Sequence, residues 1–85
     1  ETADVHNVLG IALASRGLLP QAIVEFRHAL ALDADAATTH WHLGVALAST
    51  GANDEALVHL RRAAELDPTN AAIQNDLQVL QQQRR

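Results

Sequence analysis

Five histidines in an 85-residue chain raise the question of a metal centre. A zinc-type site needs three or four converging nitrogen, sulfur or carboxylate donors. His40 and His42 stand two apart, which on a helix turns them to different faces. His6 and His40 recur at one repeat spacing, about one helix apart in space. There is no cysteine, and no carboxylate matches the histidines in spacing. The reading is packed or surface histidines and no metal. Asp33-Ala34-Asp35 opens like a calcium loop but lacks its glycine and its closing glutamate, so it reads as a pair of helix-linker aspartates. Ser15 and Ser49 have no base and orienting partner and read as residues at helix C-termini. No Gly-rich phosphate loop is present. Glu65 stands four after Arg61, which reads as a solvated helix ion pair. Arg84 and Arg85 read as a frayed end. Every catalytic constellation fails, so the chain reads as no enzyme and needs no cofactor.

The elements that carry these residues are helices. Apolar residues make up 48% of the chain, dominated by 17 alanines and 13 leucines. Phe26 and Trp41 are its aromatic residues. Alanine and leucine favour helix, and the β-branched and aromatic residues that favour strands are few. Ten acids face six arginines and no lysine, for a net charge of −4. No basic run could track phosphates, which argues against nucleic acid. No apolar run approaches the roughly 18 residues that span a bilayer, and no signal peptide is visible. These readings predict no membrane association and favour the cytoplasm. The length allows one small domain, 1–85, burying about 60–65% of its unfolded surface. Beginning at Glu1 rather than Met, the chain is also compatible with a piece of a longer protein.

Shifted by 34 residues, the sequence matches itself. Residues 3–36 and 37–70 agree at 15 of 34 positions without a gap. The matches include His6/His40, Leu9/Leu43, Gly10/Gly44, Leu13/Leu47, Gly17/Gly51, Ala22/Ala56 and Ala29/Ala63. A partial third copy begins at Ala71, with Leu77 where Leu9 and Leu43 stand. Each unit reads as two helices. In the first, residues 3–16 carry Leu9 and Leu13 on one apolar face. Gly17 ends that helix by accepting φ > 0. Pro20 opens the next, where its missing N–H costs nothing. Residues 20–32 turn Ala22, Ile23, Phe26, Ala29 and Leu30 inward. In the second unit Gly51 stops the first helix, Asn53 is the expected N-cap, and Asp54 and Glu55 suit the helix dipole. Asp67-Pro68 breaks the second helix, and Thr69 or Asn70 caps a last helix over 71–83. Glycine inside a helix costs about 1 kcal/mol against alanine. Its recurrence at 10 and 44 predicts close approach of the paired helix, with Ala22 and Ala56 as small partners. Leu9, Leu43 and Leu77 are expected to line one continuous core.

This pattern resembles the tetratricopeptide repeat, W-x₂-L-G-x₂-Y followed by A-x₃-F, A and P. The first unit reads His6-x₂-Leu9-Gly10-x₂-Leu13, then Ala22-x₃-Phe26, then Ala29. The second reads His40-x₂-Leu43-Gly44-x₂-Leu47, then Ala56-x₃-Leu60, then Ala63 and Pro68. Histidine stands for the first tryptophan twice, leucine for tyrosine, and Ala34 for the first proline. The resemblance implies an all-α, right-handed superhelical α-α solenoid of antiparallel helix pairs with five helices. Repeat one would span 3–36, repeat two 37–70, and a capping helix 71–85. The capping role fits the polar residues Gln74, Gln78, Gln81, Gln82 and Gln83, since a terminal element needs a polar outer face.

The resemblance also implies a concave groove lined by the first helix of each unit. Carried over position by position, that groove comprises Asn7, Ile11, Trp41, His42, Val45, Asn75 and Val79. The cations with which chaperone-binding members grip a peptide carboxylate are missing. Ile11, Trp41, Val45 and Val79 leave an apolar strip with polar edges. The implied function is a protein-interaction scaffold for a peptide or partner helix. Trp41 reads either as an interaction hot spot or as packing within the stack. Two and a half units fall short of the roughly three that stability usually needs. That makes a homodimer, or an accessory segment of a larger protein, the rival reading.

Overall fold

The computed structural model describes residues 2–83. Five helices follow in order: α1 (Ala3–Ser15), α2 (Leu19–Leu32), α3 (Ala37–Ser49), α4 (Asn53–Leu66) and α5 (Ala71–Gln83). The described residues contain no strand. α1 packs on α2 and α3 on α4 as antiparallel hairpins; α2 also packs on α3, and α4 on α5. α1 touches α3, and α3 touches α5, whereas α2 and α4 make no close backbone approach. The odd helices therefore crowd along one side and the even helices splay apart on the other, as in a helical-repeat solenoid.

The two hairpin turns share one chemistry. Gly17 and Gly51 hold φ of 78° and 88°. Leu18 N–H donates to the Leu13 carbonyl, and Ala52 N–H to that of Leu47, at 3.0 and 2.9 Å. These bonds satisfy carbonyls that a helix end would leave open. Pro20 falls in the first turn of α2. Asn53, expected as a cap, is instead the first residue of α4, and the capping position is Ala52, with no side-chain bond. The chain leaves the glycine so tightly that helix begins one residue earlier. Asn70 does cap α5, its Oδ1 accepting from Ala72 N–H at 3.0 Å and Ile73 N–H at 3.3 Å.

The core runs along the hairpin seams. Phe26, Leu43, Leu60 and Ile73 are its largest fully buried side chains. A Cβ at Gly10 would lie 2.6 Å from Phe26 Cε1, and one at Gly44 would lie 2.8 Å from Leu60 Cγ and 3.2 Å from the Ala56 carbonyl oxygen. Close approach is thus the reason for both glycines. The groups that need the space are the Phe26 ring and the Leu60 side chain rather than the alanines, of which Ala56 contributes its carbonyl. Leu9 departs from expectation. Leu43 is fully buried and Leu77 packs against the core, but Leu9 is 45% exposed. Leu43 has α2 packed beside its helix, whereas among the described residues no helix precedes α1 to cover Leu9. Gln74, Gln78, Gln81, Gln82 and Gln83 are all exposed on α5.

Candidate functional site

Two adjoining clefts open on the side where α1, α3 and α5 meet. The first, about 290 Å³, is lined by Ile11, Ala14, Leu19, Phe26, Trp41, His42, Val45, Ala46, Ser49 and Asp76. The second, about 250 Å³, is lined by Val45, Ala48, Ser49, Leu60, Asp76, Val79, Leu80 and Gln83. Val45, Ser49 and Asp76 belong to both and make them continuous. Ile11, Val45 and Val79 are 38%, 40% and 44% exposed. They form an apolar line across three helices.

Of the seven residues placed in the groove by sequence, the structure brings five to these clefts: Ile11, Trp41, His42, Val45 and Val79. Asn7 lines neither. Its Oδ1 accepts from the Thr39 hydroxyl at 3.1 Å, so it ties α1 to α3. Asn75 is exposed and also outside both clefts. Trp41 serves packing and cleft at once. Its Nε1–H donates to Asp76 Oδ2 at 2.8 Å, pinning α5 to α3, while its ring faces the first cleft. His42 lies half-buried against Trp41 and Phe26, its ring within 28° and 13° of parallel to theirs at 5.1 and 5.9 Å. Its Nδ1 is buried without a hydrogen-bond partner among the described residues. Desolvation pushes its pKa below the ordinary histidine value, with the backbone of Thr38 acting in the opposite direction. The imidazole therefore works as part of an aromatic wall. Leu19 and Leu80 were not foreseen, because they enter from the start of α2 and the last turns of α5, outside the Leu-Gly offsets.

The opposite face carries polar clusters. His40 Nδ1 meets His59 Nδ1 at 3.0 Å, and His40 Nε2 donates to the Ala34 carbonyl at 2.8 Å. Desolvation, then the neighbouring His40, lowers the His59 pKa, opposed by Glu55. Arg27 binds Glu55 at 2.6 Å and so links α2 to α4. The expected Arg61–Glu65 pair is not formed. Arg62 takes Glu65 at 3.3 Å and Asp35 at 3.0 Å, because its guanidinium can reach the α2–α3 loop from the same position. All three are well exposed, so these pairs contribute little. The expectation that no carboxylate accompanies the histidines also fails. His6 Nδ1 lies 2.8 Å from Glu25 Oε1, with His28 beside them. Glu25 and His28 are three apart on one helix face, but only the register of α1 against α2 brings His6 to them. Ser15 and Ser49 bond the Ala12 and Val45 carbonyls at 2.7 and 3.0 Å, as residues at helix ends do.

Stacked α-hairpins with an apolar face along their first helices define a helical-repeat protein. Two family models match it: one described as TPR repeat over residues 10–51, the other as tetratricopeptide repeat over residues 37–70. The chain belongs to the tetratricopeptide repeat family. No curated protein compared with it matches. No described helix is long and apolar enough to cross a membrane.

Proposed function

We propose that this chain is a protein-interaction module that seats an amphipathic helix or extended apolar segment of a partner along Ile11, Trp41, Val45 and Val79. Tetratricopeptide repeats generally mediate protein–protein interactions and are typically non-enzymatic scaffolds. The observation that carries the reading is the continuity of the two clefts through Val45. Alternate apolar side chains of a peptide could fill them in turn, which is how grooves read helical or extended ligands. Trp41, held by Asp76, supplies a rigid aromatic wall of the kind that concentrates binding energy. Ser49 and Gln83 offer polar edges. Within this reading residues 1–85 act as one domain, with 3–36 and 37–70 as repeats and 71–85 as the cap.

The test is selection of peptides from a random display library, followed by binding to Val45→Asp. Val45 is exposed, so the variant keeps its fold. Selected peptides should carry spaced apolar anchors and lose at least about tenfold in affinity, since a charge in a desolvated contact costs over 1.4 kcal/mol. Peptides that bind the variant as well as the parent would refute the groove.

The outer face of α1 favours a second reading. Val5, Val8 and Leu9 are 56%, 64% and 45% exposed. With Asp4 and Ala12 they line an apolar cleft of about 510 Å³. A second copy, or a further helical repeat, could cover it. Sedimentation equilibrium over a range of concentrations separates the cases; a concentration-independent monomer would remove self-association.

A further inference from the structure

We propose that His6, Glu25 and His28 form a binding site for a divalent transition-metal ion of the zinc type. One ligand atom from each lies within 4.8 Å of both others. His6 Nδ1 and Glu25 Oε1 are already 2.8 Å apart, on side chains only 13% and 20% exposed. Donors around a tetrahedral zinc ion stand about 3.3 Å apart, from bonds of about 2.0–2.1 Å. The half-buried pair is thus close to ligating distance. His28 is exposed and borders the same cleft as His6. Its ring already packs edge-on against His6, with centroids 5.2 Å apart and planes at 77°.

The donor set points to the class of ion. Two imidazoles and one carboxylate suit zinc, cobalt or nickel, whereas magnesium and calcium prefer all-oxygen cages. Three protein ligands leave a fourth position. A cleft of about 260 Å³ lined by His6, His28, Ala31 and Leu32 gives water access to it. The neighbouring cation does not compete, because Arg27 is held by Glu55 on α4 at 2.6 Å.

The second repeat provides an internal contrast. The positions equivalent to His6, Glu25 and His28 are His40, His59 and Arg62. Arg62 brings a positive charge to the place of the third ligand. Glu55 approaches the other nitrogen of His59, at 3.7 Å, and is bound by Arg27. A metal would lack its carboxylate there. The inference is therefore specific to the first hairpin.

The experiment titrates tag-free protein with Zn²⁺ by calorimetry and with Co²⁺ by visible absorption. One ion per chain is expected, with the Co²⁺ spectrum of a four-coordinate site. A Zn²⁺ concentration about 100 times Kd should raise Tm by roughly 10 °C or more. His28→Ala and Glu25→Gln should each weaken binding at least about tenfold while keeping the helical circular dichroism. His59→Ala should bind like the parent. Absence of saturable Zn²⁺ binding would overturn the site. So would binding that survives both His28→Ala and Glu25→Gln, or that His59→Ala abolishes.

Discussion

Replacing Gly10 with alanine sets two opposing effects against each other. Alanine in a helix interior is worth about 1 kcal/mol over glycine. Gly10 is the one buried residue of α1, and the new Cβ would meet Phe26 Cε1 at 2.6 Å, Cδ1 at 2.7 Å and Cζ at 3.0 Å. Carbon atoms in contact prefer about 3.5–4.0 Å, so the overlap is close to 1 Å. The ring cannot retreat freely, because Phe26 is 1% exposed within the core. Overpacking of this kind costs about 1–3 kcal/mol, and its upper part applies here. The net expectation is a loss of about 1–2 kcal/mol, or roughly 5–15 °C in Tm for a domain of this size. Thermal and urea unfolding followed by circular dichroism measure it. Phe26→Val removes all three ring atoms named above. In that background Gly10→Ala should become neutral or stabilising. A Tm at or above the parent for Gly10→Ala alone, or the same penalty in both backgrounds, would refute the close-approach argument.

Other perturbations test other joints. Trp41→Phe removes the bond to Asp76 and should cost about 1–2 kcal/mol, read by thermal unfolding. Asn70→Ala removes the cap of α5 and should cost about 1 kcal/mol, with faster amide exchange in its first turn. Stability should rise from pH 5 to 7.5. His42 and His59 have depressed pKa values in the fold, so the unfolded chain binds more protons as pH falls through its ordinary histidine value. The slope is bounded at about 1.4 kcal/mol per pH unit for each group. Urea midpoints across that range check it, and a fall in stability with rising pH would contradict it.

The repeat frame was legible because period, glycine turns and the Asp67-Pro68 break are local properties of the chain. What escaped was set between helices. Leu9 and Leu43 occupy identical repeat positions, yet among the described residues only Leu43 has a helix before it to be buried against. Glu25 could not be paired with His6 without the register of α1 on α2. Arg62 displaced Arg61 in the ion pair because a loop aspartate from the neighbouring unit came within its reach. Asn7 matched the groove offset, but Thr39 on the next unit captured its side chain. In the clefts, the residues named from first-helix offsets were mostly reached, whereas Leu19 and Leu80 arrived from helix ends that no offset marks.

Occupancy of the strip from Ile11 to Val79 by a partner segment is read out by backbone amide and methyl chemical-shift mapping with a display-selected peptide. The largest changes are expected at Ile11, Trp41, Val45 and Val79, with α2 and the outer face of α4 little affected. Changes concentrated on Val5, Val8 and Leu9, or on the α2 and α4 side, with the strip unperturbed, would contradict it.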